Sequence, residues 1–124
     1  MSFEAFRSIS LVPGGVVAQR RFCTIDSSGR AVQAGANAEA VGISLEAAAA
    51  ADDPAIPVGL LDGAKVEVEA GAAVTAGDEV TSDANGQAVV ATTGQRVLGF
   101  ALSAAGAADE VITIVAQKGA LAAP

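Results

Sequence analysis

Apolar and polar residues alternate in short runs along most of the chain, and clusters of Gly, Asp, Asn and Ser separate the runs. The alternation is strict in Lys65–Glu69, where it places Val66 and Val68 on one face and the charged side chains on the other. About nine short strands are predicted, with turn signals every 8 to 12 residues or so. The pattern therefore predicts an all-β protein, a small β-barrel or β-sandwich with very little helix.

The segment from Thr24 to Asp52 is repeated at Thr81 to Asp109, at a constant offset of 57 residues and without a gap. Six of the identical positions are alanines, which an alanine-rich chain supplies by chance. The others are turn and core residues, and they include the pairs Gly29/Gly86 and Gly42/Gly99. An internal repeat constrains the architecture, so the sequence predicts one domain built from two pseudo-repeated halves.

We assign residues 16–116 to this β domain, with repeat halves at about 16–58 and 73–115. Between them, Asp62-Gly63 is a dipeptide typical of tight hairpin turns. It predicts a hairpin over residues 56–69. Val16–Ile25 is predicted to be one strand, and residues 117–124 a flexible tail.

Residues 1–15 differ from the rest of the chain because they end in a Pro13-Gly14-Gly15 break. Phe3, Phe6, Ile9 and Leu11 supply the apolar side chains of this segment. One interpretation is an N-terminal arm whose four apolar residues bind a partner. The alternative is a first strand or short helix that packs on its own domain.

The composition favours association with other subunits. Of the 124 residues 52% are hydrophobic, but only 3% are aromatic, with four Phe, no Trp and no Tyr. A chain of this size buries a modest core, and small domains often gain stability by oligomerising. Without Trp or Tyr, a carbohydrate-binding face is disfavoured.

Several function classes are disfavoured by residues that the chain lacks. It has no His, which removes the usual general base and metal ligand, and Cys23 is the single cysteine. The net charge of −7 opposes binding to nucleic acid. No apolar run approaches the roughly 20 residues of a membrane span, and no secretory signal is evident. We therefore expect a non-enzymatic protein, synthesised in the cytoplasm, with no catalytic residue, cofactor, metal or small-molecule substrate.

Three motifs have some features of a functional site. Asp83-Ala84-Asn85-Gly86 begins like a calcium loop, but Gly94 stands where a carboxylate ligand is required, so a β-turn is predicted. The acid pairs Asp52-Asp53 and Asp109-Glu110 follow alanine runs and are interpreted as solvated turn residues. Residues 70–80 are similar to a segment of biotinyl and lipoyl carrier domains, so a carrier domain is the alternative function. Such domains hold the cofactor on a Lys at a hairpin tip, whereas Lys65 lies within a predicted strand.

The order and spacing of several segments resemble the tailed-phage capsid decoration, or structural cement, proteins. The segments are 66–88 (VEVEAGAAVTAGDEVTSDANGQA), 95–107 (QRVLGFALSAAGA), the strand 111–115, and the earlier 21–26 leading to 40–45. The resemblance covers roughly residues 12–116. It implies a protein of the virion, commonly a homotrimer, that binds the outer surface of the phage head and clamps neighbouring major capsid proteins. It identifies no contact residues.

Overall fold

The computed structural model describes residues 7–119, and within this range the protein has ten β-strands and no helix. The strands are β1 (Ser8–Leu11), β2 (Phe22–Ile25), β3 (Ala31–Gln33), β4 (Gly42–Ser44), β5 (Ile56–Leu60), β6 (Asp62–Glu69), β7 (Glu79–Ser82), β8 (Ala88–Val90), β9 (Gly99–Ala101) and β10 (Val111–Gln117). The all-β prediction is confirmed.

The strands form two antiparallel sheets of five, and the arrangement is sandwich-like because neither sheet closes into a barrel. The first sheet has the order β1-β5-β4-β2-β3 and the second has the order β6-β10-β9-β7-β8. Adding five to each strand number of the first sheet gives the second. Each sheet is therefore one repeat, from β1 to β5 or from β6 to β10.

Individual backbone contacts repeat as well. Val17 and Ala48 exchange hydrogen bonds of 3.0 and 2.8 Å, and Val74 and Ala105, at the offset of 57, exchange bonds of 3.0 and 2.9 Å. The turn glycines of the two copies adopt the same left-handed conformation, with φ of 78° at Gly29 and 75° at Gly86. Two pseudo-repeated halves are therefore present, as the sequence predicts.

The first half begins earlier than the predicted boundary of residue 16. β1 takes the edge position in the first sheet that β6 takes in the second. The sequence allowed residues 8–11 to be part of an arm or of a first strand. In the structure they form a strand that pairs with β5 from Ser8↔Gly59 to Leu11↔Ile56. We refer to residues 8–60 as half one and to residues 62–117 as half two.

The hairpin predicted over residues 56–69 is not formed, because β5 and β6 belong to different sheets. Gly63 does adopt a positive φ of 95°, but it lies inside β6, where the register opposite β10 shifts between Val115 and Gln117. The Asp-Gly dipeptide therefore lies at an irregularity of β6, where the register shifts, and not in a hairpin turn. The alternation that follows it is confirmed, with Val66 and Val68 buried and Lys65 and Glu67 exposed.

Two other predicted elements have different boundaries in the structure. The strand predicted at Val16–Ile25 begins only at Phe22, because Arg20 has a left-handed φ of 61° that an extended strand does not allow. At the other end, Gln117 belongs to β10. The N–H of Gly119 donates to the carbonyl of Val97 at 2.9 Å, and the remainder of the predicted tail lies outside the described residues.

Apolar side chains form two clusters of different size. The main core contains residues of both sheets: Phe22, Ala34, Ala40, Ile43, Val66, Val68, Ala70, Val74, Val80, Ala88, Leu98, Ala101, Ala105, Ile112, Ile114 and Ala116. The small core lies within half one: Val17, Cys23, Ala31, Ala48, Ile56 and Val58, with Leu11 packed against it. At the offset of 57, or 56 where β5 matches β10, every small-core position has its counterpart in the main core. Half two thus has the same local core, enlarged by side chains that half one contributes.

Candidate interaction surface

The four residues predicted to bind a partner divide between two regions. Phe3 and Phe6 lie outside the described residues. Ile9 and Leu11 are on β1, where they pair with Val58 and Ile56 of β5. Leu11 packs against the small core, whereas Ile9 is 38% exposed. Within the described chain, therefore, Ile9 is the member of this set that offers a substantial apolar surface.

The two halves contact each other through different surfaces. Half one presents Phe22 and Ile43, which are directly opposite each other on β2 and β4 and completely buried. Half two contacts this part of half one through β6, where the N–H of Glu69 donates to the Arg20 carbonyl at 2.9 Å, and through the turn at residues 83–86. The N–H of Phe22 donates to the Gly86 carbonyl at 2.8 Å. The contact is therefore directional, since one face of half one meets another part of half two.

Polar groups fix the register of this contact. An Nη2 of Arg21 lies 2.9 Å from Oε1 of Glu69, and both side chains are largely buried. Nη1 of Arg21 donates to the Asn85 carbonyl at 3.0 Å. The amide nitrogen of Gln87 donates to Glu69 at 2.6 Å and to Asp109 at 2.7 Å. These charge-assisted hydrogen bonds therefore join the two halves.

Two buried polar atoms have no hydrogen-bond partner among the described residues, namely Nε of Arg21 and Oγ1 of Thr81. An unsatisfied buried group of this kind costs about 1 to 3 kcal/mol. Arg21 lies at the contact between the halves, and Thr81 lies on β7. Apolar burial and the Arg21 network therefore stabilise the contact, although Nε of Arg21 is left without a hydrogen bond there.

The motifs weighed as catalytic or metal sites act as turn residues. Oδ1 of Asp83 accepts the N–H groups of Asn85 and Gln87 at 2.8 and 3.0 Å, and Asp26 does the same at the equivalent turn of half one. The pKa of Asp26 lies below its ordinary value of 3.8, and the main cause is the hydrogen bond from the backbone N–H of Arg30. Within residues 7–119 no cluster of three or more potential metal ligands occurs.

The second residue of each acid pair accepts hydrogen bonds from the alanine-rich loop before it. Oδ2 of Asp53 accepts the N–H of Ala50 at 3.0 Å, and Oε1 of Glu110 accepts the N–H of Gly106 at 3.0 Å. The first residues of the pairs, Asp52 and Asp109, have positive φ angles of 64° and 72°. Each pair therefore shapes a loop, and its two carboxylates do not form an acid and base couple across a cleft.

Neither Cys23 nor Lys65 has the surroundings of a reactive group. Burial raises the pKa of the Cys23 thiol to about 11, so the thiol is protonated at neutral pH and is a poor nucleophile. Lys65, the candidate carrier lysine, lies within β6 opposite Val115 instead of at a hairpin tip. A groove next to it lies between the two halves and is lined by Gln19, Arg20, Leu45, Lys65, Val66 and Glu67.

Among residues 7–119, eight large apolar side chains are more than a third exposed: Ile9, Val12, Val16, Ile25, Val90, Phe100, Leu102 and Val111. Six of them fall into two sets, one in each half. We call Val90, Phe100 and Leu102 the half-two patch, and Ile9, Val12 and Ile25 the half-one patch. In the described part of the chain, these patches are the features best suited to binding another protein.

Sequence reasoning identified only Ile9 among these six residues. The repeat alignment could have indicated the half-two patch, because it pairs these three residues with residues of half one that pack against half two. Phe100 and Leu102 align with Ile43 and Leu45. Ile43 is completely buried and Leu45 packs against the main core, whereas Phe100 and Leu102 are 36% and 47% exposed. The alignment could pair these positions, but only the structure shows which copy is covered.

No helix in the described residues is long and apolar enough to cross a membrane. The fold and the patches define a class of protein, a two-repeat β-sandwich with exposed apolar patches. The model of the phage cement protein family matches residues 4–116, and the chain belongs to this family. Family membership supports a structural role associated with the phage capsid.

A solved structure shares the fold. The crystal structure of the head fiber gp8.5 N base in bacteriophage phi29 is similar with a TM-score of 0.74 and 20% sequence identity. The similarity covers 94% of this chain and 99% of that chain. No curated protein matches the sequence.

Proposed function

We propose that this protein decorates the outer surface of the phage head and clamps neighbouring subunits of the major capsid protein, as a homotrimer without enzymatic activity. The observation that carries the proposal is the family match over residues 4–116. The described residues support it, because their exposed apolar patches suit protein binding and because Asp53, Asp83 and Glu110 shape turns and loops. A cement protein requires only such contacts. It stabilises the assembled lattice because it binds that lattice and not the separated capsid subunits.

We propose further that the N-terminal residues Phe3 and Phe6 contact the capsid. β1 is held in the first sheet by four register pairs with β5, so a segment free to add as a strand to the capsid would have to precede it. An extended segment can add to a sheet edge, with its backbone supplying affinity and its side chains filling pockets. Each buried Phe would contribute roughly 1.5 to 3 kcal/mol.

A deletion of residues 2–6 tests this contact, because it removes both phenylalanines and leaves β1 intact. We expect the shortened chain to fold and to oligomerise as the full chain does, but to bind expanded heads at least about a hundredfold more weakly. Cosedimentation of purified heads with increasing amounts of protein measures the difference. The heat resistance of the heads, followed by DNA release, reports whether binding stabilises the lattice.

A matched control separates the apolar side chains from the length of the segment. Phe3→Ala with Phe6→Ala should reproduce the deletion, while Ser2→Ala with Glu4→Ala should bind as the unmodified chain does. Equal binding by the deletion and the full chain would move the capsid contact to the β domain. Failure of the full chain to bind heads at all would contradict the proposed function.

A further inference from the structure

Two different surfaces meet at the contact between the halves, one on each half. Because the halves are repeats, each surface has an equivalent in the other half, and parts of these equivalents are exposed. Half one covers half two with the face that contains Phe22 and Ile43. In half two Glu79 stands in place of Phe22, and Phe100, in place of Ile43, is 36% exposed. Half two receives half one at Val66 and Ser82, which are 9% and 1% exposed. The corresponding positions of half one, Ile9 and Ile25, are 38% and 42% exposed.

The turn glycines show the same asymmetry. Gly86 is buried, and an added Cβ there would lie 3.0 Å from the Phe22 carbonyl oxygen. Its equivalent, Gly29, has nothing within 4 Å of such a Cβ. The turn at residues 26–29 therefore has the same backbone conformation as the turn that receives half one, but no described residue covers it.

We propose that a second copy of this chain occupies these surfaces, with the half-two patch of one subunit packed on the half-one patch of the next. The proposal rests on the proposed function and identifies the seam of the oligomer. Within one chain, Leu45 and Val66 line the same groove between the halves. Between chains, the equivalent neighbours would be Leu102 of one subunit and Ile9 of the next.

The composition of the two patches fits burial against each other. Positions that are polar at the contact within the chain are apolar on the exposed copies: Ser82 corresponds to Ile25, Glu69 to Val12 and Gln33 to Val90. The ion pair between Arg21 and Glu69 corresponds to Asp78 and Val12, which cannot form one. The seam between chains would therefore depend on apolar burial, as is common where subunits associate.

Such a seam joins two different surfaces, so it is heterologous. A heterologous contact closes into a ring or continues as a filament, whereas an isologous contact pairs a surface with itself. A trimer is a small closed ring of this kind. This difference provides a test that needs no capsid, so its outcome is independent of whether the protein decorates heads.

The test uses two variants, each lacking one patch. We expect Phe100→Asp with Leu102→Asp, and separately Ile9→Asp with Ile25→Asp, to sediment as monomers of 12.0 kDa at concentrations where the unmodified chain is oligomeric. Mixed together, each variant supplies the patch that the other lacks, so the mixture should form a species of twice that mass. Val16→Asp, at a side chain that is 71% exposed and outside both patches, is the matched control and should stay oligomeric.

Disulfide trapping tests the seam directly and without charged substitutions. Ile9→Cys and Leu102→Cys in separate chains should form an oxidised dimer when mixed, and neither alone should form it efficiently. Leu45→Cys with Val66→Cys in one chain is the internal control, since those residues line one groove and should crosslink within the chain. Cys23 is completely buried, so it should not compete. Circular dichroism checks the fold, and Ile25→Ser, which copies Ser82, replaces the aspartate variant if that variant unfolds.

Three results would overturn the inference. One is an unmodified chain that remains monomeric up to millimolar concentration. Another is an oligomer that both patch variants leave unchanged. The third is self-association that the half-two variant abolishes and the half-one variant retains, because that would indicate an isologous contact of the half-two patch. Restored association in the mixture together with the mixed disulfide dimer would support the heterologous seam.

Discussion

Gly42 and Gly99 are equivalent residues at which the backbone of a neighbouring strand approaches closely. A Cβ added at Gly42 would overlap the carbonyl oxygen of Gly59, and one at Gly99 would overlap the carbonyl oxygen of Val115. Neither glycine has a left-handed φ, so the constraint is space and not backbone conformation. The repeat thus retains these two glycines for the same packing reason.

We expect Gly42→Ala and Gly99→Ala each to destabilise the protein by about 1 to 3 kcal/mol, because the strands must separate to admit the methyl group. Gly15→Ala is the control, since nothing lies within 4 Å of a Cβ there. Urea unfolding followed by circular dichroism measures the difference. Equal midpoints for all three variants would show that the strands can shift at no cost.

At the scale of the element, equivalent strands have different roles in the two halves. β4 places Ile43 in the main core, while β9 exposes Phe100 at the equivalent position. We expect Ile43→Ala to cost about 2 to 5 kcal/mol of unfolding free energy, the usual range for emptying a core site. Phe100→Ala should cost much less when the chain is diluted to a monomer. Thermal unfolding at low and high protein concentration measures both, and a larger loss at Phe100 in the monomer would contradict the assigned contact.

The sequence predicted elements whose determinants are local. Strict alternation identified β6, and Asp at the first and Gly at the fourth position identified the turns that end at Gly29 and Gly86. It misplaced elements whose partners are distant in the chain. Asp62-Gly63 has the composition of a hairpin turn, but β6 pairs with β10, which begins about 50 residues later. Local residues could not indicate that pairing.

The candidate site shows the same limit. Ile43 and Phe100 are both apolar and align in the repeat, so their sequences predict the same environment. What distinguishes them is that half one packs the face with Ile43 on half two, while Phe100 is left 36% exposed by the described residues. The assignment depends on the arrangement of the halves, which the sequence of neither half contains.

At the scale of the molecule, the main core draws on both halves, so we expect them to unfold together. Cys23 reports on half one because it lies in the small core, where its raised pKa keeps the thiol protonated at pH 8. Unfolding returns the thiol to solvent, where its pKa falls toward the ordinary 9.0 and its reactivity rises. Thiol labelling and circular dichroism should therefore give coincident urea transitions. Labelling that precedes the loss of β structure would indicate that half one opens independently.

A single residue, Leu61, connects the last strand of half one to the first strand of half two. Such a short tether keeps the halves at a high effective concentration, on the order of millimolar or more. The proposed seam between subunits has no tether and must form at the concentration of free chains. The same kind of surface would then be used in a fixed order, first within each chain as it folds and afterwards between chains as they accumulate. Dilution should reverse only the second step, so that folded single chains would be the unit that is released and exchanged.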